Sequence, residues 1–185
     1  MKKHLGIAVL YTVITAIVLG LAYPLAITAI ARVAFPKQAD GQLVTSNGQL
    51  VGSKLIGQPF TGPGYFHSRP SAAGTGYDAA ASSGSNLAPS SKALIDRVNA
   101  SVATETQGAD VPIDLVTTSA SGLDPDITPA AAQYQVPRVA ADRHMQPSAV
   151  QQLVMAHITQ RQLGLLGEPR VNVLELNMAL QQAAH

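Results

Sequence analysis

Residues 5–31, LGIAVLYTVITAIVLGLAYPLAITAIA, decide the fold of this chain, because they hold no Asp, Glu, Lys, Arg or His. A run of 18 or more apolar residues predicts a membrane helix, since about 20 residues cross the roughly 30 Å hydrocarbon layer. A straight helix of this length would reach roughly 40 Å. It must therefore tilt, kink at Pro24 or leave its ends in the headgroup region. We predict an N-terminal membrane anchor (residues 1–37) and one soluble domain (residues 38–185).

A cleaved secretory signal is the competing interpretation of this segment, and Ala29-Ile30-Ala31 even resembles a cleavage site. Secretory apolar cores run only about 7–15 residues, which favours a retained helix. The amino terminus with Lys2 and Lys3 slightly outweighs Arg32 and Lys37 in the positive-inside count. We therefore expect a cytoplasmic N-terminus and a domain that faces the exterior.

Small residues recur at every fourth position of the anchor. They are Ala8, Thr12, Ala16 and Gly20. Such a stripe lets a second helix approach closely, which makes these residues candidates for helix packing in the membrane. The alternative is that Ala, Gly and Thr are simply common in membrane helices.

The soluble part carries a small negative charge. After Lys37 the chain has eight Lys or Arg and eleven Asp or Glu residues, a net charge of about −3. A strongly basic surface, which marks nucleic-acid binding, is missing. The remaining length is enough for one hydrophobic core.

The first half of the domain is rich in turns. Asn47-Gly48 between two short apolar runs, residues 42–45 and 49–51, predicts a β-hairpin. Residues 54–66 are interrupted by Gly and Pro and indicate turns with short extended pieces. Residues 68–91 are rich in Ser, Ala and Gly, so that both a disordered linker and an ordered functional loop are open.

The second half has mostly helical patterns. Pro89-Ser90-Ser91 predicts the start of a helix whose apolar face holds Leu94, Ile95, Val98 and Val102. Residues 111–118 are rich in β-branched side chains and predict a strand. A turn follows at Ser121-Gly122.

Three further helices are expected after that turn. One begins at Thr128-Pro129 and should break or kink at Pro137, which leaves residues 138–144 as a separate turn or two. Ser148 and Gln151 match a capping box for a helix that continues through Ile158. Residues 171–173 are expected to form a short strand and residues 174–182 the last helix. The predicted fold class is α+β, with helices outweighing strands.

The sequence offers few groups for catalysis. It has no P-loop, no His-Glu-x-x-His zinc motif and no Gly-x-Ser-x-Gly elbow. Asp124-Pro125-Asp126 suits a turn better than a cation site. Arg69 either grips an anion or partner carboxylate, or satisfies loop carbonyls. Gln58 suits a hydrogen-bonded contact. We predict no catalytic residue and no metal site, and a binding or subunit role.

Six blocks of sequence resemble the C subunit of the bacterial Kdp potassium-transporting ATPase. They are GQPF (57–60), GYFHSRPSA (64–72), GSNL (84–87), DLVTTSASGLD (114–124), QVPRVA (135–140) and VNVLELN (171–177). Their shared order, together with the N-terminal helix, makes the resemblance specific over essentially the whole chain. Ser83 departs from the glycine expected before Gly84, which puts the local backbone in question.

The resemblance implies an accessory, non-catalytic subunit of an ATP-driven K⁺ uptake complex in the bacterial inner membrane. Its implied partners are a pore-forming K⁺-binding subunit, an ATP-hydrolysing P-type subunit, a small single-span subunit and membrane lipid. The complex would use ATP, Mg²⁺ and K⁺, with no recognisable cofactor motif in this chain. The family is described as a catalytic chaperone that raises ATP affinity, which an external domain could do only allosterically.

We expect the loop at about residues 57–91 to be the partner-contacting surface, because aromatic and Arg side chains are common interface anchors. The candidates are Gln58, Phe60, Tyr65, Phe66, Arg69 and Asn86. The alternative from a different class is an anchored periplasmic hydrolase using Ser85 or His67, or a binding protein unrelated to transport.

Overall fold

A computed structural model describes residues 2–183 of the chain, which form two compact units divided between Ser53 and Lys54. The first unit begins with one continuous helical stretch, Lys2–Ala34, which is long and apolar enough to cross a membrane. It consists of α1 (Lys2–Ile17), a π-helical turn (Val18–Ala22) and α2 (Tyr23–Ala34). The predicted N-terminal helix is therefore confirmed.

The π-helical turn lies where Pro24 disturbs the anchor. Proline has no N–H, and its ring clashes with the carbonyl four residues earlier, here that of Gly20. The helix widens before this point, so that the Tyr23 N–H donates to the Val18 carbonyl five residues back. Thr28 Oγ1 donates to the Pro24 carbonyl at 2.8 Å, which satisfies a hydroxyl that would otherwise be unpaired in lipid.

The first unit ends in a short helix and a hairpin. Helix α3 (Pro36–Ala39) leads into strands β1 (Leu43–Ser46) and β2 (Gln49–Ser53), which pair antiparallel. Asn47 and Gly48 connect the strands with φ of 51° and 77°, as a type I′ turn requires. This hairpin is the one that the Asn-Gly signal predicts.

Among the described residues, the second unit is a mixed α/β domain with four α-helices and a small antiparallel sheet. The helices are α4 (Lys92–Glu105), α5 (Pro129–Asp142), α6 (Pro147–Ala156) and α7 (Val173–Ala183). Strands β3 (Asp126–Ile127), β4 (Ile158–Thr159) and β5 (Arg170–Asn172) are ordered β3-β5-β4. Over the described residues, helices outweigh strands, as predicted.

The hydrophobic core lies between α5, α6, α7 and the sheet. Ile127 and Ile158 both pair with Val171 on the central strand β5. Val139 and Leu176 are fully buried and contribute α5 and α7 to the same cluster. Phe66 joins this cluster from the long loop that precedes α4, so the loop is part of the core structure.

The predicted strand at residues 111–118 is wrong. Residues Ile113–Leu115 instead form a 3₁₀ turn, whose Asp114 side chain is buried. The Asp114 carboxylate accepts a hydrogen bond from the Thr128 N–H at 2.8 Å, and the Thr117 hydroxyl donates to the Ile113 carbonyl. These local and tertiary hydrogen bonds override the β-propensity of Val and Thr.

Helix α5 runs through Pro137 to Asp142 without a break, so the separate turn predicted for residues 138–144 is wrong. Its start is as predicted, with the Thr128 hydroxyl accepting from the Ala131 N–H at 3.2 Å. Pro137 is exposed, while Val136 and Val139 beside it are buried. Burial of this face outweighs the one hydrogen bond that proline cannot make.

Helix α6 begins two residues earlier than the proposed capping box requires. Gln146 is its N-cap and Pro147 its first residue, which is a favoured position for proline. Ser148 therefore lies inside the helix, and the predicted capping box is wrong. The helix ends at Ala156, so Ile158 belongs to β4 and not to the helix as predicted.

Candidate partner-binding surface

Two buried amide side chains hold the loop of residues 57–91 in place. Asn177 on α7 accepts from the Phe66 N–H at 2.8 Å and donates to the Phe66 carbonyl at 2.9 Å. Gln135 on α5 does the same for His67, at 2.7 and 3.2 Å. Each amide satisfies both backbone groups of one loop residue, as a neighbouring strand would. The loop is ordered, so the linker alternative does not describe it.

Arg138 in α5 and Arg143, the C-cap of that helix, hydrogen-bond carbonyl groups of the turn before Phe66. Arg138 donates to the Tyr65 carbonyl at 3.0 Å and to Gln135 Oε1 at 2.7 Å. Arg143 Nε donates to the Gly64 carbonyl at 2.7 Å. Burial lowers the pKa of Arg138, while Glu105 and Asp142 act in the opposite direction. The loop carbonyls thus receive charged donors, which make stronger hydrogen bonds than neutral ones.

Phe60, Tyr65 and Arg143 form an aromatic patch, the name we use for these three residues. The two rings lie 5.8 Å apart, and the Arg143 guanidinium lies 4.5 Å above the Tyr65 ring. Gln181 donates to the Tyr65 hydroxyl at 2.9 Å. This hydrogen bond and a side-chain hydrogen bond between Arg143 and Tyr65 lower the pKa of Tyr65. Both rings are half-buried and therefore keep exposed surface in a fixed geometry.

Arg69 is occupied by contacts within the domain. Its guanidinium lies 3.4 Å from Asp124 and 3.7 Å from Asp114, and it donates to Thr117. Its backbone carbonyl accepts from the Tyr77 hydroxyl at 2.7 Å. Burial raises the pKa of Tyr77 to about 12. These contacts connect the loop at Arg69 to residues 114–124, and contact of Arg69 with a partner stays a prediction.

Close backbone approach explains two glycines of this region. Gly57 N–H donates to the Leu123 carbonyl at 2.8 Å, and a Cβ on Gly57 would lie 2.6 Å from the Asp124 carbonyl oxygen. Gly122 has φ of 66°, and a Cβ there would meet the Ser83 carbonyl at 2.5 Å. Ser83 itself keeps negative φ, so serine replaces the expected glycine without strain.

A cleft of about 370 Å³ lies between the loop and α4, with Arg97 among its lining residues. On its wall His67 Nδ1 is 2.8 Å from Glu105 Oε1, and Nε2 is 3.2 Å from the Gly62 carbonyl. Both ring nitrogens of His67 thus face acceptors, which ties the loop to the end of α4. Within residues 2–183, no group of three or more metal-binding side chains lies together.

The predicted partner-contact residues lie in different environments. Phe60 and Tyr65 are partly exposed, Gln58 is half-buried, and Asn86 is exposed with φ of 51°. Phe66 is fully buried, so its ring has no surface for a partner and we assign it to the core. Direct contact of the remaining residues with a partner stays a prediction.

The sequence did not reveal the residues of α5, its C-cap and α7 that hold the loop by hydrogen bonds. They are Gln135, Arg138, Arg143 and Asn177, to which it assigned no role. A signal did exist for the two amides, because each occupies a buried position on an otherwise apolar helix face. A buried amide requires hydrogen-bond partners, which only the folded loop supplies.

The small residues of the anchor remain accessible to another helix. Ala8, Thr12 and Ala16 lie in α1, Gly20 lies in the π-helical turn, and all four are exposed in this chain. A Cβ on Gly20 would meet no atom within 4 Å. Packing of this stripe against a partner helix stays a prediction.

These features define a class of protein: one candidate membrane helix at the N-terminus, followed by a small α+β domain with an ordered loop. Residues 5–182 match the family described as KdpC, the c chain of the K⁺-transporting ATPase. The chain therefore belongs to this family of potassium-transporting ATPase subunits.

Individual relatives agree over nearly the full length. The chain is 62% identical over 181 residues to the potassium-transporting ATPase KdpC subunit of Acidobacterium capsulatum, covering 97% of this chain and 98% of that protein. It is 56% identical to the KdpC subunit of Koribacter versatilis, over 97% of this chain and 95% of that one. Identity to the KdpC subunit of Rhodopseudomonas palustris is 53%, over 99% and 100%.

Proposed function

We propose that this chain is the accessory, non-catalytic subunit of an ATP-driven K⁺ uptake complex. Its helix Lys2–Ala34 anchors it in the bacterial inner membrane, with the N-terminus in the cytoplasm and the domain outside. Its partners are a pore-forming K⁺-binding subunit, an ATP-hydrolysing P-type subunit and a small single-span subunit. ATP, Mg²⁺ and K⁺ are ligands of those partners. Membership of the KdpC family supports this proposal.

The aromatic patch of Phe60, Tyr65 and Arg143 is the observation that carries the binding role. Aromatic and Arg side chains are enriched among residues that dominate binding energy. Here they are fixed before binding, because Arg143 donates to the Gly64 carbonyl and Gln181 to the Tyr65 hydroxyl. A rigid patch loses little conformational entropy on association, which favours affinity. It is therefore suited to docking on a larger subunit.

An external domain reaches cytoplasmic ATP only through the partner subunits. An increase in ATP affinity then has to be a coupling between two sites, and this coupling is reciprocal for binding. Docking of the domain would stabilise the conformation of the complex that binds ATP more tightly. The chaperone effect is in this view allosteric, with no nucleotide contact by this chain.

The test compares Tyr65→Ala with Met155→Ala, which truncates an exposed side chain on α6. Each variant is co-expressed with its partner subunits, purified through the ATP-hydrolysing subunit, and assayed for the amount of this chain and the apparent KM for ATP. We expect Tyr65→Ala to lower the recovery of this chain or to raise the KM, and Met155→Ala to change neither. Unchanged values for Tyr65→Ala, or turnover by the purified domain alone, would contradict the proposal.

A further inference from the structure

Residues 160–168, between β4 and β5, form what we call the leucine hairpin, and all of them are exposed. Leu163, Leu165 and Leu166 at its tip are 90%, 80% and 60% exposed. Single exposed leucines are normal on protein surfaces, whereas several exposed side chains together mark an interaction site. The contacts around the hairpin decide whether these leucines are held in one arrangement.

The hairpin is held by its own hydrogen bonds. Gln162 N–H donates to the Leu166 carbonyl at 2.9 Å, and Leu166 N–H donates back to the Gln162 carbonyl at 2.9 Å. The side chains of Arg161 and Glu168 form an ion pair across its base. The tip therefore presents its leucines in a fixed arrangement before any partner binds, which lowers the entropy lost on association.

Leu163 has a strained backbone as well as an exposed side chain. Its φ is 53°, in the left-handed region that bulky residues rarely occupy and that Gly, Asn and Asp tolerate. Packing of the Leu163 side chain in the core does not offset this strain, because the residue is 90% exposed. Strained residues cluster at functional sites, where the geometry serves binding.

Charge argues against a lipid surface as the occupant. The one cation of residues 160–168, Arg161, is paired with Glu168, so the hairpin has no free basic group for anionic headgroups. The same residues contain no Trp or Tyr, the side chains that anchor proteins at the membrane interface. The polar neighbours of the leucines are Gln160 and Gln162, which are neutral.

Family membership favours a partner subunit over a second copy of this chain as the occupant, because the matched family is named as one chain of a K⁺-transporting ATPase. The hairpin spans only residues 160–168, so it would add to a larger interface and would not form one by itself. An apolar tip with a neutral, hydrogen-bonding rim has the anatomy of a small anchor that enters a pocket. Such a pocket would be apolar and would carry no net charge.

We propose that the leucine hairpin inserts Leu163, Leu165 and Leu166 into an apolar pocket of a partner subunit of the transport complex. This surface is separate in sequence from the aromatic patch, and it rests on the proposed function only in that the chain is part of a complex. The hairpin gives the domain a second anchor, which fixes its orientation on the partner.

The direct test places a photo-crosslinking amino acid at Leu165 of the full chain, co-expressed with its partner subunits in native membranes. The same amino acid at Ile113, which is exposed elsewhere, sets the background. We expect a crosslink from position 165 to a larger subunit, at several times the yield from position 113. Adducts only with lipid, only with a second copy of this chain, or at background yield would overturn the inference.

Two substitutions separate binding from folding. Leu163→Asn removes an apolar side chain and relieves the strained backbone, so we expect an unchanged or higher melting temperature but about tenfold weaker association. Leu165→Ser should weaken association similarly, Leu165→Met should restore it, and Ile113→Ser should leave it unchanged. If wild-type chain copurifies with its partners and both hairpin variants copurify equally well, the hairpin inference fails alone. If the wild-type chain does not copurify, the proposed function fails.

Discussion

Single side chains with two hydrogen-bonding groups decide how the loop of this domain is held. Gln135 and Asn177 are almost completely buried, and each offers its carbonyl and its amide group to one loop residue. A buried amide without partners would cost about 1–3 kcal/mol, so the loop and the helices stabilise one another. This explains how a segment rich in Ser, Ala and Gly has a defined conformation.

At the same scale, Phe66→Ala should destabilise the isolated second unit by about 3–5 kcal/mol, because it leaves a cavity in the core. Chemical denaturation of residues 54–185 measures this change. Tyr65→Ala is the matched control, since that ring is partly exposed and should cost much less. Equal stability of Phe66→Ala and the wild type would show that Phe66 does not belong to the core.

Tyr77 gives this unit a specific alkaline response. Burial raises its pKa to about 12, above the ordinary value of 10.0 for tyrosine. The folded state therefore retains the phenolic proton longer than the unfolded state, so this contribution to stability is complete below about pH 10 and is lost as the pH rises through 12. Tyr77→Phe should lower stability at pH 8 by about 1 kcal/mol, through loss of the hydrogen bond to Arg69.

The same variant should lose less of its remaining stability between pH 10 and 12 than the wild type. Urea denaturation at pH 8 and pH 11 compares the two. Parallel losses in both proteins would mean that Tyr77 does not titrate in this range and that other tyrosines account for the response.

Two prolines inside helices show how an element adapts to its surroundings. Pro24 follows a π-helical turn in an anchor that no other part of the described chain buries, so the backbone itself absorbs the clash. Pro137 lies in α5, whose other face is packed in the core, and the helix there continues as an α-helix. Tertiary packing thus decides whether proline changes helix geometry.

The anchor prediction also belongs to the scale of the element. Gly20→Ile adds a branched side chain where a Cβ meets nothing within 4 Å, so the substitution is free of clashes inside this chain. If the small-residue stripe packs against a partner helix, the variant should weaken assembly by on the order of 1–2 kcal/mol. Copurification and thermal stability of the complex are the measurements. Leu19→Ile, beside it in the same turn, is the control, and equal assembly of both would disprove packing at Gly20.

The described part of the chain divides after Ser53 into a unit that contains the candidate membrane helix and a domain unit that begins at Lys54. The sequence-based boundary at residue 37 separates the anchor by hydropathy, whereas contacts group the β1–β2 hairpin with the anchor helix. The first boundary separates apolar from polar sequence, and the second separates two groups of residues that each pack among themselves.

Orientation is the prediction for the whole molecule. Ala109→Cys introduces the only cysteine of this chain, in an exposed segment after α4. If residues after Lys37 lie outside the cytoplasm, a membrane-impermeant thiol reagent should label this cysteine on intact spheroplasts. A cysteine at Lys3 is the matched control and should react only after lysis. The reverse pattern would place the domain in the cytoplasm.

Local sequence patterns correctly predicted several elements of the fold. The apolar run, the Asn47-Gly48 turn and the Thr128-Pro129 start each depend on a few neighbouring residues, and all three are present as predicted. The strand expected at residues 111–118 failed because Asp114 bonds to Thr128, which lies outside any local window. Arg69 likewise lies beside Asp114 and Asp124, which only the folded chain brings to it, and its contact with a partner stays a prediction.

The sequence by itself determined the anchor, the α+β class and the family of this protein, because hydropathy, turn residues and ordered sequence blocks are properties of the chain alone. Only the tertiary structure decided which loop residues face inward. The Phe66 side chain is buried in the core, whereas that of the adjacent Tyr65 is partly exposed. The reason is that Asn177 on α7 and Gln135 on α5 hydrogen-bond the loop backbone at Phe66 and His67. The physical reason is that burial and hydrogen-bond satisfaction depend on residues distant in sequence, whose proximity is set only when the core packs.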